Sequence, residues 1–181
     1  MKTPQRLAAT IILAILTLSF IHPDDWIVFE SNGYKMLFPK KPADQTQVVN
    51  TAIGKLKMGI HMYEVADNEK EDNLVYGLIE TEYPDSVINS DKKDLLDNFF
   101  KNSIDGAANN VHGKLLSVTE IQLDGYPGRS FRIDLKDQHA VMTMRAYLVK
   151  NKMYILQTIT EAPKDFNKSI NRFMDSFTLK K

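Results

Sequence analysis

Three consecutive β-type runs within residues 129–160 constrain the fold of this chain more than any other stretch. They read RSFRIDL, AVMTMRAYLV and MYILQTIT, and the short turn-forming stretches KDQH and KNK separate them. β-branched and aromatic residues are enriched, and neither proline nor glycine interrupts a run, which is typical of strands joined by hairpins. The pattern predicts three adjacent antiparallel strands at the centre of a β-sheet.

Side chains alternate between the two faces of a strand, so aligning the runs by their turns assigns each residue to a face. The first face is almost wholly apolar and holds Phe131, Ile133, Leu135, Met142, Met144, Ala146, Leu148, Ile155 and Ile159. The second face is amphipathic and holds Arg132, Asp134, Thr143, Arg145, Tyr147, Tyr154, Leu156, Thr158 and Thr160. We expect one helix to cover the first face, whereas the second face is only partly suited to burial.

Two helices are predicted outside these strands, and either of them could cover the apolar face. In residues 91–110 apolar side chains recur at helical spacing, and Ser90 is placed to cap the first turn. A second helix is predicted over residues 163–175, because Pro163 suits a first helical turn and Phe166 and Ile170 begin an apolar side.

Further strands are predicted on both sides of the first helix. The Asn32-Gly33 dipeptide predicts a hairpin between residues 26–31 and 34–38. A second hairpin is predicted around Gly54 and Lys55, and single strands over residues 74–83 and 115–123. The predicted fold class is therefore α+β, with an antiparallel β-sheet flanked by helices.

The first 21 residues have the organisation of a Sec-type signal peptide. Lys2 and Arg6 precede an uncharged apolar run over residues 7–21, which is about 15 residues long where a membrane-spanning helix needs roughly 20. A clear cleavage pattern is missing before His22, so an uncleaved anchor is the alternative to a cleaved signal. In both cases residues 22–181 are predicted to form a single periplasmic or secreted domain, which reaches the membrane only through that N-terminal segment.

Charge and cysteine content narrow the function classes. The formal net charge is zero, but two of the 23 Lys and Arg residues lie in the leader, which leaves a slight acidic excess in the body. Nucleic-acid binders usually carry a clear basic excess, so no nucleic-acid partner is predicted. The absence of cysteine excludes disulfides, a thiol nucleophile, a thiolate metal site and a lipidated N-terminal cysteine.

The sequence contains no motif that predicts catalysis or a cofactor. The four histidines are scattered, without the spacing of metal ligands. Glycine-rich phosphate loops are absent, and the closest stretch to a nucleophile elbow, residues 128–131, lacks the second glycine. We therefore predict a non-enzymatic protein with no catalytic residues, no cofactor and no metal, acting as a monomer.

One group of residues is a candidate binding surface: Arg132, Asp134, Arg145 and Tyr147 on the second face of the three strands. Two guanidiniums on neighbouring strands, roughly 7 to 8 Å apart on the diagonal, could hold a carboxylate or phosphate by paired hydrogen bonds. The alternative is that Asp134 and an acid on a helix neutralise the two arginines within the fold.

Short motifs outside the three strands resemble those of the PsbP-like superfamily. They are Trp26-x-x-Phe29, Gly33-Tyr34-x-x-x-Phe38-Pro39-x-x-Pro42, Asp124-Gly125-x-Pro127-Gly128 and Phe173-x-x-Ser176-Phe177. The resemblance covers nearly all of residues 22–181 and implies an α/β/α sandwich. Members of the superfamily include an extrinsic subunit of photosystem II, a nuclear Ran-binding protein and bacterial proteins of unknown role, so the resemblance implies a protein-binding scaffold and no catalytic residue set.

Two functional hypotheses follow. The first is an exported, non-enzymatic binding or assembly module that contacts another envelope protein. The second is a periplasmic carrier of a small apolar or anionic ligand, held between sheet and helix near Met142, Met144 and Phe100, although methionines in such positions are more often plain core. A hydrolase with an unrecognised site is the weakest alternative.

Overall fold

The computed structural model describes residues 26–51, 53–67 and 69–180. The ten strands and two α-helices of these residues are β1 (Ile27–Glu30), β2 (Tyr34–Phe38), β3 (Ala43–Thr51), β4 (Gly54–Glu64), β5 (Asn73–Glu82), α1 (Lys93–Asn110), β6 (Lys114–Leu123), β7 (Tyr126–Leu135), β8 (Ala140–Val149), β9 (Lys152–Glu161), α2 (Lys168–Asp175) and β10 (Thr178–Leu179). Neither α1 nor α2 has the length and apolar character needed to cross a membrane. The predicted signal peptide, residues 1–21, lies outside the described residues.

Seven strands form one antiparallel sheet in the order β3-β4-β5-β9-β8-β7-β6. The three predicted strands are β7, β8 and β9, which are neighbours, and β9 is the middle strand of the sheet. Phe131 lies opposite Met144, and Tyr147 lies opposite Tyr154. Both predicted faces are therefore confirmed.

The first face is covered by α1. Phe100, Ile104 and Ala108 are buried on this helix, and they share one core cluster with Phe131 and Met142 of the sheet. Sequence analysis left open which helix covers this face, and the structure shows that it is α1.

The start of α1 differs from the prediction. The helix begins at Lys93, and Lys92 occupies the N-cap position without a side-chain capping bond. Ser90, the predicted cap, is buried. Its backbone nitrogen donates to the Lys150 carbonyl at 2.8 Å, so this residue anchors the chain to the β8–β9 turn before the helix starts.

The second face is covered by α2 together with a small antiparallel sheet of order β1-β2-β10. A largely aromatic core lies between these layers, and its buried members are Tyr34, Met36, Phe38, Tyr63, Tyr76, Leu78, Tyr147, Tyr154, Leu156, Ile170, Phe173, Met174 and Phe177. The sequence analysis predicts neither this separate small sheet nor its strand β10. Two residues of strand are too short to show an alternating pattern, and they pair with β2 from the far end of the chain.

Two other boundaries moved. Pro163 lies in a 3₁₀ turn over Ala162–Lys164, and α2 begins only after Asn167, whose side-chain oxygen accepts a hydrogen bond from the Ile170 backbone nitrogen at 3.0 Å. A side-chain cap of this kind is a stronger helix start than a proline in the preceding turn. In the second hairpin, Thr51 pairs with Gly54, so the turn falls two residues earlier than predicted.

Candidate functional site

The Arg132 side chain extends from β7 toward the segment that precedes α2. Its guanidinium forms an ion pair with Asp165, and both side chains are mostly buried, at 20% and 12% exposure. The same guanidinium lies over the Phe166 ring, 4.0 Å from the ring centroid. Arg132 is therefore held by one acid and one aromatic ring of this segment.

The Arg145 side chain is paired in a similar way on the next strand. Its Nη1 donates to the Asp175 carboxylate at 2.6 Å. Asp175 is the last residue of α2, and its side chain is 64% exposed. Acids of the fold therefore pair with both arginines, and they are Asp165 and the helix-borne Asp175, whereas the alternative weighed from the sequence had named Asp134 as one of them.

The other two residues of the predicted surface take no part in these two ion pairs, although Arg145 interacts with the Tyr147 hydroxyl. Asp134 is half-buried on β7, and its backbone pairs with Lys114 of β6. Tyr147 is only 5% exposed and lies against Phe177, and this burial raises the pKa of its hydroxyl. Tyr147 therefore belongs to the core, because β10 and the residues before it cover the face on which it stands.

A cleft of about 180 Å³ is lined by both arginines. Its lining consists of Ser130, Arg132, Thr143, Arg145, Asp165, Phe166, Ile170, Asn171 and Met174. Within the described residues the Arg132 Nε atom is buried without a hydrogen-bond partner, so one donor of the guanidinium is unused.

Phe166 is the residue at this cleft that sequence reasoning missed. It was assigned to the apolar side of a helix starting at Pro163, but it lies before α2 and is 74% exposed. Its φ of 63° is in the left-handed region, which bulky side chains rarely adopt. The Asp165 carboxylate accepts a hydrogen bond from the Phe166 backbone nitrogen at 2.9 Å and so helps to hold this conformation. The strong capping residue Asn167 was the sequence signal that could have placed Phe166 outside the helix.

The arrangement presents a large aromatic side chain to solvent against the Arg132 guanidinium, and Arg145 lines the same cleft. We call the group formed by Arg132, Arg145, Asp165, Phe166 and Asp175 the Phe166 surface. Aromatic and arginine side chains are the residues that contribute most binding energy at protein interfaces. The arrangement is thus suited to binding another protein, and it lacks a nucleophile placed beside a base.

A second cluster of titratable groups lies on β3, β4 and β5, at the opposite edge of the large sheet from β7 and β6. The Nδ1 atom of His61 on β4 lies 2.7 Å from the Asp44 carboxylate on β3, and its Nε2 atom lies 3.5 Å from the Glu80 carboxylate on β5. Glu80 and then Asp44 raise the pKa of His61, against the opposing effect of burial. His61 in turn lowers the pKa of Glu80, with a further contribution from Lys152. When it is protonated, His61 thus links three adjacent strands through ion pairs.

This cluster is an ion network and not a metal centre. In the parts of the chain that the structure describes, no three His, Asp or Glu side chains are arranged to hold a metal ion. Sequence patterns could not predict this cluster, because His61, Asp44 and Glu80 meet only through the pairing of three strands.

The predicted ligand position between sheet and helix is occupied by core side chains. Phe100, Met142 and Met144 are all buried in the cluster beneath α1. These residues therefore have the core role that methionines in such positions more often have.

Comparison with solved structures supports the architecture seen here. The solution structure of cyanobacterial PsbP (CyanoP) from Synechocystis sp. PCC 6803 matches with a TM-score of 0.50, over 92% of this chain and 99% of that chain. The chain has a PsbP-like fold. The predicted α+β sandwich is therefore confirmed, and because the two sequences are only 14% identical, the likeness concerns the fold alone. No protein-family model matches the sequence, and no curated protein matches it either.

Proposed function

We propose that this PsbP-like domain is an exported, non-enzymatic binding module that contacts another protein of the cell envelope through the Phe166 surface. Export is supported by the leader-like residues 1–21, and a binding role by the lack of catalytic motifs in the sequence. The observation that carries the proposal is Phe166, a large apolar residue that is 74% exposed on a backbone with a φ of 63°. Backbone strain of this kind persists where the surrounding structure imposes it, and it clusters at binding sites.

Several contacts hold the backbone beneath Phe166. Asp165 binds both the Arg132 guanidinium and the Phe166 backbone nitrogen, and the neighbouring Asn167 caps α2. The ring itself packs on the Arg132 guanidinium, so these contacts favour one orientation of the side chain. Preorganisation of this kind strengthens binding, because less conformational entropy is lost on association.

The neighbouring arginine suggests what the partner offers. The Arg145–Asp175 pair is exposed at the acid, and exposed ion pairs contribute only about 0 to 1 kcal/mol. A carboxylate of the partner can therefore replace Asp175 at Arg145 at low cost. The partner is expected to present an acidic side chain next to an apolar pocket that receives Phe166.

The test uses the full chain, tagged and expressed in its own host, to capture envelope proteins after chemical crosslinking. Phe166→Ala should reduce the captured partner about tenfold or more, as expected for an interface anchor, and Arg145→Ala should reduce it less. Val48→Ala is the matched control, since Val48 is 60% exposed on β3 at the far edge of the large sheet.

Three results would overturn the proposal. They are recovery of the protein in the cytoplasmic fraction, the absence of any envelope protein above background, and equal capture by the Phe166→Ala and Val48→Ala variants.

A further inference from the structure

A second, larger cleft of about 720 Å³ lies where the hairpin ends of the two sheets meet. Its lining comes from several separate segments and consists of Gly33, Asp124, Tyr126, Val149, Lys150, Asn151, Lys152, Tyr154, Leu179 and Lys180. None of these residues belongs to the Phe166 surface. The volume is in the range of sites for small molecules, about 300 to 1,000 Å³.

The walls of this cleft are fixed by backbone hydrogen bonds. The Lys150 carbonyl accepts from the Ser90 nitrogen at 2.8 Å, and the Asn151 carbonyl accepts from the Tyr83 nitrogen at 2.9 Å. On the opposite side, the Lys180 nitrogen donates to the Gly33 carbonyl at 3.0 Å. The cleft is thus preformed, as ligand sites usually are.

The lining has an excess of positive charge. Three lysines, Lys150, Lys152 and Lys180, face a single acid, Asp124. Two of the lysines also have acids outside the lining: the Lys180 Nζ atom lies 2.8 Å from Glu30, and the Lys152 Nζ atom lies 3.8 Å from Glu82. An ammonium group has three N–H donors, so each of these contacts leaves donors for an anion in the cleft.

The rest of the lining is mainly apolar or aromatic. Tyr126, Val149 and Leu179 are each partly buried, so part of every side chain is in reach of solvent. Tyr154 stands behind them in the aromatic core, where its ring centroid is 5.4 Å from that of Tyr34. A ligand in this cleft meets cationic groups and apolar surface together.

We propose that this cleft binds a small organic anion with a flat apolar body, of the class of an aromatic carboxylate. The carboxylate lies at Lys150 and Lys152, and the body packs against Tyr126 and Leu179. The lining offers both lysines and apolar side chains. A ligand that has only a charge or only an apolar body is therefore expected to bind more weakly than one that has both.

The test is a titration of the full chain with 2-naphthoate, followed by ¹H–¹⁵N NMR spectra. Saturable shifts are expected at Gly33, Tyr126 and Asn151, at the three sides of the cleft. Replacing Lys150 and Lys152 together by Gln should weaken the binding of 2-naphthoate about tenfold or more. Lys101→Gln on α1, where the side chain is 70% exposed, should leave binding unchanged.

Two further probes separate the contribution of the ligand's charge from that of its apolar body. The uncharged analogue 2-naphthalenemethanol and inorganic phosphate should each bind at least about tenfold more weakly than 2-naphthoate. Absence of saturable shifts with 2-naphthoate, unchanged affinity in the double lysine variant, or equal binding of either analogue would overturn the proposal. Phe166→Ala should not alter 2-naphthoate binding, so this test and that of the Phe166 surface can fail independently.

Discussion

The rings of Tyr147 and Phe177 stack with their planes 3° apart and their centroids 6.2 Å apart. This contact joins β8 of the large sheet to the short segment between α2 and β10. The Phe177 ring also lies 5.4 Å from the Tyr34 ring on β2 and 5.3 Å from the Tyr154 ring on β9. A single side chain therefore connects the two sheets.

Phe177→Ala is expected to lower the free energy of unfolding by about 3 to 5 kcal/mol, because it removes a buried ring and leaves a cavity between the sheets. Urea denaturation measures this change. Phe166→Ala is the matched control, since that ring is exposed, and loss of its stacking on Arg132 should change stability by about 1 kcal/mol or less. Equal effects of the two substitutions would contradict the assignment of Phe177 to the core and Phe166 to the surface.

The His61 cluster predicts a dependence of stability on pH. The folded state raises the pKa of His61 above its ordinary value of 6.5, so the stabilisation from its protonated form is fully present below that pH. This stabilisation is lost as the pH rises through the folded value. Glu80 has a lowered pKa, so its contribution is present above its ordinary value of 4.5 and is lost as the pH falls through the folded value.

The difference in unfolding free energy between the unmodified protein and His61→Gln should therefore be largest between pH 4.5 and 6.5 and should shrink in alkaline solution. Denaturation curves recorded across this pH range measure it. Val48→Ala is the control, since Val48 is exposed on β3 and its replacement removes no titratable group. A difference that grows toward alkaline pH would show that the cluster does not act through protonated His61.

Replacement by alanine is expected to have opposite effects on stability at two glycines, Gly106 and Gly128. Gly106 lies in α1, and a Cβ atom added there would meet no other atom within 4 Å, so Gly106→Ala should stabilise the protein by about 0.5 to 1 kcal/mol. At Gly128 an added Cβ would lie 2.6 Å from the Ala146 carbonyl oxygen and 2.7 Å from the Tyr147 ring. Gly128→Ala should therefore destabilise the protein by about 1 to 3 kcal/mol through overpacking. Thermal denaturation of both variants measures the contrast, and a shift of the same sign in both would contradict it.

The parts of the fold that sequence predicted well are those specified by local patterns. Alternation along residues 129–160 determined the faces of β7, β8 and β9, and helical spacing determined α1. The Asp124-Gly125 dipeptide is a local signal of the same kind, because it favours a hairpin turn in which both residues have a positive φ. Both residues have a positive φ in the structure. Each of these signals acts over a few neighbouring residues.

The remaining features depend on contacts between distant residues. Pairing of β10 with β2 has no local signature. The start of α2 is an exception, because the Asn167 cap is a local signal and the prediction placed the start at Pro163 instead. That shift of a few residues moved Phe166 from the predicted core to the surface. The strand register places Arg132 and Arg145 on neighbouring strands, as predicted, but their partners Asp165 and Asp175 could not be named without knowing where α2 lies.

The position of β2 has a consequence for how the chain reaches its native state. Its partner β1 directly precedes it, whereas the contact between Lys35 and Thr178 spans 143 residues. Closing so long a loop is entropically unfavourable and slow. Until that happens, one edge of β2 is unpaired and the aromatic side chains beneath it are accessible. The small sheet is thus expected to be the last part to assemble, and a chain that ends before Phe177 should remain open to proteases and prone to aggregation.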